Sequence, residues 1–404
     1  MKKIMIILSG AVLFLAGCAP SIGNDEEVVQ NKDNSKEQQK SIVSSQRLPD
    51  EDYRTILPYR PSASRGVITN QMGNRVDIDE METGLRRLSK DNFDPEKYFF
   101  EEGQYITSDM LYNWLDTYPT DEMLNQMKES DNYDETAIEK AKLALNPPLD
   151  EEKNLTEETA SKEDYENNPK YLTHILEQNF LKKTDDNKVE LIGASLGIAL
   201  KSEYTFEVDG NTYHKEISKS KMMEKGKEIA QTVLERVRNI EGMGNIPIMI
   251  ALYREEDQSS PVPGSFVAKT SVKGDQASIN EWETITEENV LFPSEQGKEK
   301  YADTQKLVQN FSTRIEEYFP DYVGVIGEGF YIDGELQKLT LEIPLEFNGK
   351  GEVIGFTQYT YGLVEEMFQD YYGLEVKIKS NQKMESLIYQ NPGDDEATVH
   401  VYDS

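Results

Sequence analysis

The 404-residue chain contains a single cysteine, Cys18. No disulfide can form within it and no thiolate cluster can hold a metal, so burial of apolar side chains has to stabilise whatever the chain folds into. The surroundings of that cysteine narrow its role. Lys2 and Lys3 precede an apolar run over residues 4–16, and Leu15, Ala16 and Gly17 lead directly into Cys18. A basic start followed by a ~13-residue apolar stretch has the layout of a secretory signal peptide, and it is shorter than the ~20 residues a membrane-spanning helix needs.

The quartet Leu15-Ala16-Gly17-Cys18 resembles the lipobox of bacterial lipoproteins, whose cysteine is diacylated on sulfur and becomes the new N-terminus after cleavage. The resemblance implies a lipid anchor at Cys18, built by the lipoprotein processing enzymes, and residence on the outer face of the cell membrane. At about 0.8 kcal/mol per buried methylene, two acyl chains give a stable anchor where one is marginal. Export without disulfides suits a Gram-positive surface. The chain carries 43 Lys and Arg against 75 Asp and Glu, a net charge of −32, and loss of the leader removes two more lysines. Such a surface repels polyanions, so nucleic acid is excluded as a partner. With no polybasic segment, membrane contact should run through the lipid alone. The acids are spread along the chain, as expected of a solubilising surface.

Composition divides the rest. Residues 1–17 form the signal peptide, and residues 18–50, rich in Asn, Asp, Glu, Gln, Lys and Ser, read as a flexible polar tether. Residues 51–146 read as a small, mainly helical subdomain, with helices over 109–118, capped by Thr107 or Ser108, and over 135–145. Residues 147–169 are an acidic linker or loop. Two α+β repeats follow, at 170–285 and 286–392, and 393–404 is a tail. In the first repeat the pattern suggests a helix at 171–182, strands within 189–217 turning at Asp209-Gly210, an amphipathic helix at 222–240 and a buried strand at 246–253. In the second it suggests a helix at 298–319, strands through 322–360 turning at Asn348-Gly349, a helix at 361–372 and a strand at 374–379. The expected class is therefore α+β: two α-β-β-α-β-like repeats of antiparallel strands with packed helices, preceded by the small helical subdomain.

Several motifs invite functional readings. Gly193-Ala194-Ser195-Leu196-Gly197 matches the G-x-S-x-G nucleophile elbow, and His400 follows it. The elbow requires a strand, a sharp turn and a helix, but here an alternating strand pattern continues from Ile192 to Leu200, so a small-residue strand face is expected. His174, His214 and His400 show no metal-ligand spacing. Gly327-Glu328-Gly329 and Gly349-Lys350-Gly351 lack the spacing of a phosphate loop; the first belongs to a strand region and the second to a hairpin turn. The run 131–135 lacks the glycine and distal glutamate of a calcium loop and reads as an acidic turn before a helix. Tyr359, Tyr361, Phe368, Tyr371 and Tyr372 have helical spacing, which points to packing, although a groove ringed by Tyr361, Phe368 and Tyr372 would suit a binding module. No catalytic, cofactor-binding or metal residue is assigned, and no cofactor is expected.

The lipobox, polar tether, acidic two-repeat body and the ending around Leu374-Glu375-Val376-Lys377-Ile378 together resemble the CamS family of Gram-positive lipoproteins, the sex pheromone precursors. The resemblance implies that a short peptide from the signal sequence acts as a mating signal read by a peptide receptor. The corresponding stretch is Ala11, Val12, Leu13, Phe14, Leu15, Ala16 and Gly17; it keeps Ala11, Leu15 and Ala16 of the best-known heptapeptide and differs at Val12, Leu13, Phe14 and Gly17. It implies no enzymatic activity for the body. Two other classes stay open: a surface module binding a wall component, peptide or protein, and a glycan hydrolase using two carboxylates across a cleft.

Overall fold

Hairpins alternate with single crossover helices along the chain, and the alternation builds two mixed sheets. The computed structural model describes residues 26–31, 38–43, 52–151, 155–319, 322–346, 349–380 and 383–403. In chain order, β1 (Glu26–Asn31), β2 (Gln38–Val43) and β3 (Arg54–Leu57) lead to helices α1 (Val67–Gln71) and α2 (Arg75–Ser89) and strand β4 (Phe99–Glu102). Four short helices follow: α3 (Ser108–Leu115), α4 (Asp121–Glu129), α5 (Glu135–Ala141) and α6 (Lys162–Asn167). Strands β5 (Leu172–Lys183), β6 (Val189–Leu200), β7 (Glu203–Val208) and β8 (Asn211–Glu216) precede helix α7 (Lys219–Arg238), then β9 (Ile248–Arg254), β10 (Ser265–Val272) and β11 (Glu283–Thr284). The second half comprises β12 (Glu287–Phe292), α8 (Glu295–Lys300), α9 (Ala302–Glu316), β13 (Ile326–Ile332), β14 (Glu335–Leu345), α10 (Lys350–Met367), β15 (Gly373–Ser380), β16 (Lys383–Gln390) and β17 (Thr398–Val401).

The larger sheet has the order β1-β2-β3-β4-β5-β6-β9-β10-β11 and the smaller β12-β13-β14-β15-β16-β17, with β7-β8 a separate hairpin. The halves share one topology. In the first, β5 and β6 are antiparallel, α7 crosses over, β9 lies parallel to β6 and β10 antiparallel to β9. In the second, β13 and β14 are antiparallel, α10 crosses over, β15 lies parallel to β14 and β16 antiparallel to β15. Strands β4 and β12 extend the two sheets antiparallel on one side, β11 and β17 on the other. With α6, which lies in the stretch read as a linker, and α9 as leading helices, each half has an α-β-β-α-β order in an α+β fold, although the leading helix expected over 171–182 is strand β5. Asp209-Gly210 and Asp333-Gly334, all with φ between 52° and 82°, close the β7-β8 and β13-β14 hairpins as two-residue turns that need left-handed backbone.

Several elements differ from the sequence expectation. Residues 171–182 are strand β5, not a helix: the polar residues that gave the helical spacing, His174, Glu177, Gln178 and Asn179, are all buried in a strand covered on both faces. Residues 350–360, rich in β-branched and aromatic side chains, open helix α10, because Val353, Phe356, Thr357, Thr360, Leu363 and Val364 all bury on one face; the helix ends at Met367 rather than Tyr372. Gly349 is its N-cap, so the turn expected at Asn348-Gly349 is a strand-to-helix junction on the Gly349 side, and Asn348 lies outside the described residues. The helix expected over 298–319 is broken at Tyr301, whose ring stacks on Tyr331 with centroids 3.8 Å apart. The 51–146 region contributes β3 and β4 to the larger sheet, the 147–169 loop contains α6 with Ala160 and Tyr165 buried, and the 393–404 tail supplies β17.

Residues 26–31 and 38–43, within the stretch read as a polar tether, are strands β1 and β2. Val28, Val43, Ile56, Phe99, Leu181 and Val189, one from each of the first six strands, form a buried cluster of their own. Val29 N donates to Asn187 O at 2.7 Å, which carries β1 round to the β5-β6 turn, and Gln30 Nε2 donates to Glu101 Oε1 at 2.7 Å. Three valines and one isoleucine in otherwise polar strands are too few to reveal them by composition, yet Val28 and Val43 complete this cluster. Cys18 is consequently eight residues from the first strand, a span of at most ~29 Å at ~3.6 Å per residue.

The G-x-S-x-G stretch is an uninterrupted part of β6. Ala194, Leu196, Ile198 and Leu200 face the core under α7 and α3, while Gly193, Ser195, Gly197 and Ala199 form a smooth face toward α2. A Cβ on Gly197 would lie 3.1 Å from Met81 Cε, and one on Gly193 would collide with the Phe93 ring, which stacks on Phe180 at 4.3 Å. Ser195 Oγ, fully buried, lies 2.8 Å from Ser89 Oγ. The glycines and serine are thus what lets α2 approach the sheet. Gly193→Ala is expected to lower stability in urea denaturation by about 1–3 kcal/mol through overpacking, and Phe93→Leu on that background should recover part of it. Additive losses in the double mutant would contradict the assigned contact.

Candidate functional site

Cys18, the quartet Leu15-Ala16-Gly17-Cys18 and the heptapeptide from Ala11 to Gly17 lie outside the described residues. The other sequence candidates are not brought together. His174 is buried in β5, and burial lowers its pKa to about 3, so its ring stays neutral. His214 is an exposed β8 residue whose Nδ1 lies 2.8 Å from Glu203 Oε1, and His400 sits in β17 with its ring edge-on to Tyr402. Asp134 caps α5 by accepting from Ala137 N at 2.7 Å, the helix-leading turn expected for 131–135. Phe368 and Tyr372 are buried in the core of the second half, with Tyr359 and Tyr361 packed against it, so these rings do not encircle a groove; Tyr371 is exposed. Among the described residues, no three His, Cys, Asp or Glu side chains form a metal-holding group, and no helix is long and apolar enough to cross a membrane.

The structure assembles a crevice that no sequence motif announces. Strands β6 and β9 are parallel, with Leu200 opposite Arg254, and both chains leave the sheet at the same end. The carboxyl ends of adjacent parallel strands diverge into separate connections and leave a gap between them. Here Lys201, Ser202 and Glu203 leave one strand, and Glu255, Glu256 and Asp257 the other, around a crevice of about 360 Å³ closed by Asn74 and Asp77 at the start of α2.

Most polar groups in this crevice are committed to structure. Asn74 caps α2 through Val76 N at 3.1 Å and donates to Ser260 O at 2.9 Å. Asp77 accepts from Tyr253 Oη at 2.6 Å and from Gly264 N at 2.7 Å; burial raises its pKa against the pull of these donors. Glu255 is different. One oxygen, Oε2, accepts from Thr173 Oγ1 at 3.0 Å, while Oε1 is buried without a hydrogen-bond partner. Burial pushes its pKa up to about 7, assisted by the Asp77 charge and opposed by Lys201. Glu255 thus exchanges a proton near neutrality within a net-acidic crevice, a chemistry suited to holding a cationic group or passing a proton. Sequence reasoning missed it because Glu255-Glu256-Asp257 looks like any exposed acidic turn; only the burial of the first of the three sets it apart.

A family model described as CamS sex pheromone cAM373 precursor matches residues 59–396. Among solved structures, the sex pheromone precursor from Lactobacillus salivarius subsp. salivarius UCC118 is similar with a TM-score of 0.75 and 28% identity, over 90% of this chain and 99% of that one. The C-terminal domain of the sex pheromone staph-cAM373 precursor from Staphylococcus aureus is similar with a TM-score of 0.70 and 27% identity, over 83% of this chain and 100% of that one. None of the curated proteins matches.

The raised pKa of Glu255 sets a pH dependence of known sign. The unfolded carboxyl, near 4.5, releases its proton before the folded one at about 7, so the folded state binds more protons between these values and stability falls as pH rises through the window. Glu255→Gln mimics the protonated form and should abolish this component, gaining stability over the parent by about 3 kcal/mol at pH 8 relative to pH 4. Urea denaturation of both proteins across that range checks it; a stability difference independent of pH would refute the assignment.

Proposed function

Because the chain belongs to the CamS sex pheromone precursor family, we propose that it is a membrane-anchored surface lipoprotein, diacylated at Cys18, whose cleaved signal sequence yields a pheromone-like peptide for conjugation signalling. The observation that carries this reading is the coincidence of Lys2-Lys3, an apolar stretch and Leu15-Ala16-Gly17 immediately before the only cysteine. Processing transfers a diacylglyceryl group from a membrane phosphoglyceride to Cys18: the C–S bond forms as the glyceryl carbon–oxygen bond to phosphate breaks, the phosphate-bearing headgroup leaves with the electron pair and the thiol proton is lost, and the Gly17–Cys18 peptide bond is then hydrolysed. That hydrolysis fixes the carboxyl end of the released fragment at Gly17. Trimming before Ala11 would free the heptapeptide Ala11-Val12-Leu13-Phe14-Leu15-Ala16-Gly17, whose partner is a peptide receptor that reads its side chains by pocket fit. The peptide message and the anchored body separate at one cleavage, and the body has a non-catalytic role at the outer face of the membrane.

A second, compatible reading makes the body a binding module for a wall component, peptide or protein. The crevice at the ends of β6 and β9 favours it, because Glu255 retains a buried oxygen free to accept a hydrogen bond.

Cys18→Ala should leave a full-length precursor without lipid in the membrane fraction, detected by its mass and by failure to take up labelled fatty acid. Culture supernatant of the parent should contain the 11–17 peptide by mass spectrometry, and the synthetic peptide should elicit a mating response in plasmid-bearing recipients. Normal acylation of the Cys18→Ala protein would sink the anchor assignment, and a supernatant lacking the peptide would sink the signalling one.

A further inference from the structure

The crevice at the carboxyl ends of β6 and β9 holds more charge than its own residues neutralise. Five carboxylates line it, from Asp77, Glu203, Glu255, Glu256 and Asp257, against the single ammonium of Lys201. Three of the five have hydrogen-bond partners at hand: Asp77 takes Tyr253 Oη and Gly264 N, Glu203 lies 2.8 Å from His214 Nδ1, and Asp257 accepts from Ser259 N at 2.8 Å. Glu256 is solvent-exposed, with Arg254 3.8 Å away. Of the five, Glu255 is the one that is buried, at 9% exposure, and left with an oxygen, Oε1, that has no hydrogen-bond partner. Its other oxygen is held by Thr173 of β5, and the two charges that act on the carboxyl, Asp77 of α2 and Lys201 after β6, are crevice residues themselves. The Glu255 carboxyl thus stands at the crevice wall. Tyr253 of β9, also close to it, is pushed far up by burial and stays neutral.

An unpaired carboxylate oxygen in a crevice of net negative charge selects a cationic hydrogen-bond donor. A divalent metal does not fit, since among the described residues no three acidic or histidine side chains form a metal-holding group. A guanidinium prefers two parallel hydrogen bonds to one carboxylate, and Thr173 already occupies one of the two oxygens. A primary ammonium needs one acceptor for each N–H and matches a single free oxygen. Lys201 does not supply it: its charge reaches Glu255, but its Nζ makes no hydrogen bond there. The uncharged lining is polar, with Gln71, Asn74, Ser202 and Ser259, and the volume of about 360 Å³ suits one amine-bearing residue. The other cavity walled by α2, about 450 Å³ above β5 and bordered by His174 and Gln178, mixes Arg65, Arg75 and Arg86 with Glu82, Glu102 and Glu177 and so selects no charge.

We propose that the crevice at the ends of β6 and β9 binds a primary ammonium group, borne by a lysine side chain or a free amino terminus, whose N–H donates to Glu255 Oε1 while the surrounding carboxylates draw the charge in. The assignment deepens the binding-module reading of the same crevice and rests on it. It also makes binding pH-dependent. Ionised Glu255 is the competent form and its proton leaves at about 7, so affinity rises with pH. The competent fraction is about one tenth at pH 6 and about nine tenths at pH 8, which sets a ~tenfold difference in apparent affinity.

Calorimetric titration of the full chain in about 0.15 M salt, where diffuse attraction is screened, tests the site with three probes. Nα-acetyl-lysine methylamide carries an ammonium on its side chain only, alanine methylamide on its α-carbon only, and Nα-acetyl-norleucine methylamide none. One saturable site is expected for an ammonium probe, the tighter of the two naming the source, and none for the norleucine derivative. The lysine derivative, whose amine stays protonated throughout, should bind about tenfold tighter at pH 8 than at pH 6. Glu255→Gln should weaken its binding at pH 8 by about tenfold or more and flatten the pH profile, while His214→Gln should leave the profile in place. Lys201→Gln should move the midpoint to higher pH, because the charge that opposes protonation of Glu255 is gone. Ammonium binding unchanged by Glu255→Gln, or norleucine binding as tight as lysine binding, would overturn the ammonium assignment and leave the binding-module reading standing. No saturable binding of any probe up to about 10 mM would overturn the assignment and remove the crevice's support for that reading.

Discussion

The architecture depends on how closely α2 approaches β6. The helix lies on a strand face reduced to Gly193, Ser195, Gly197 and Ala199, so Met81 and Leu85 reach the sheet and Ser89 reaches the serine beneath. From that seat its two ends act as clamps. At the start, Asp77 is buried and accepts from Tyr253 of β9 and from Gly264 just before β10. Near the end, Arg87 reaches Glu287 of β12 at 3.1 Å and covers the Phe330 ring of β13 at 4.4 Å. One helix therefore fixes both the centre of the larger sheet and the join to the smaller one. Loss of Asp77 would strand a buried hydroxyl and a buried N–H, which costs more than the hydrogen bonds themselves contribute.

The same helix separates the two cavities. The start of α2 closes the crevice at the ends of β6 and β9, and its next turns wall the cavity above β5. Both cavities are bordered by polar groups taken out of water by a packed sheet: Glu255 in one, His174 and Gln178 in the other. Low-dielectric surroundings raise the carboxyl's pKa, hold the imidazole neutral, and make every unpaired atom costly. The second half repeats the topology of the first and packs Phe292, Phe311, Phe356 and Phe368 into its own core, with Phe311 edge-on to Phe368 at 5.1 Å.

Much of the fold was legible where pattern and burial agree. Helix α7 shows Met222, Ile229, Ala230, Val233, Leu234 and Val237 at helical spacing and buries them all, Thr107 caps α3 as expected, and the β7-β8 turn falls on Asp209-Gly210. Pattern reading failed where polar residues are buried. In β5 the carboxylate of Glu177 accepts from the backbone N–H groups of Gln104, Tyr105 and Ile106, so a residue that looks like the wet face of a helix is an interior fastening. Helix α10 failed in the opposite sense, since local preference for a strand in Val353-Ile354-Gly355-Phe356-Thr357 yielded to packing against the sheet.

The sequence by itself determined the α+β class, the paired α-β-β-α-β order, the freedom from disulfides and the likeness of residues 11–18 to a lipoprotein leader, because each is written in local spacing or composition. Tertiary structure alone decided that residues 26–31 and 38–43 join the sheet, that the G-x-S-x-G stretch is a seat for a helix, and that Glu255, His174 and Gln178 are buried with unpartnered polar atoms. Those three resemble dozens of other polar side chains along the chain. What distinguishes them is removal from water by strands and helices distant in sequence, and burial of that kind is a property of the packed molecule.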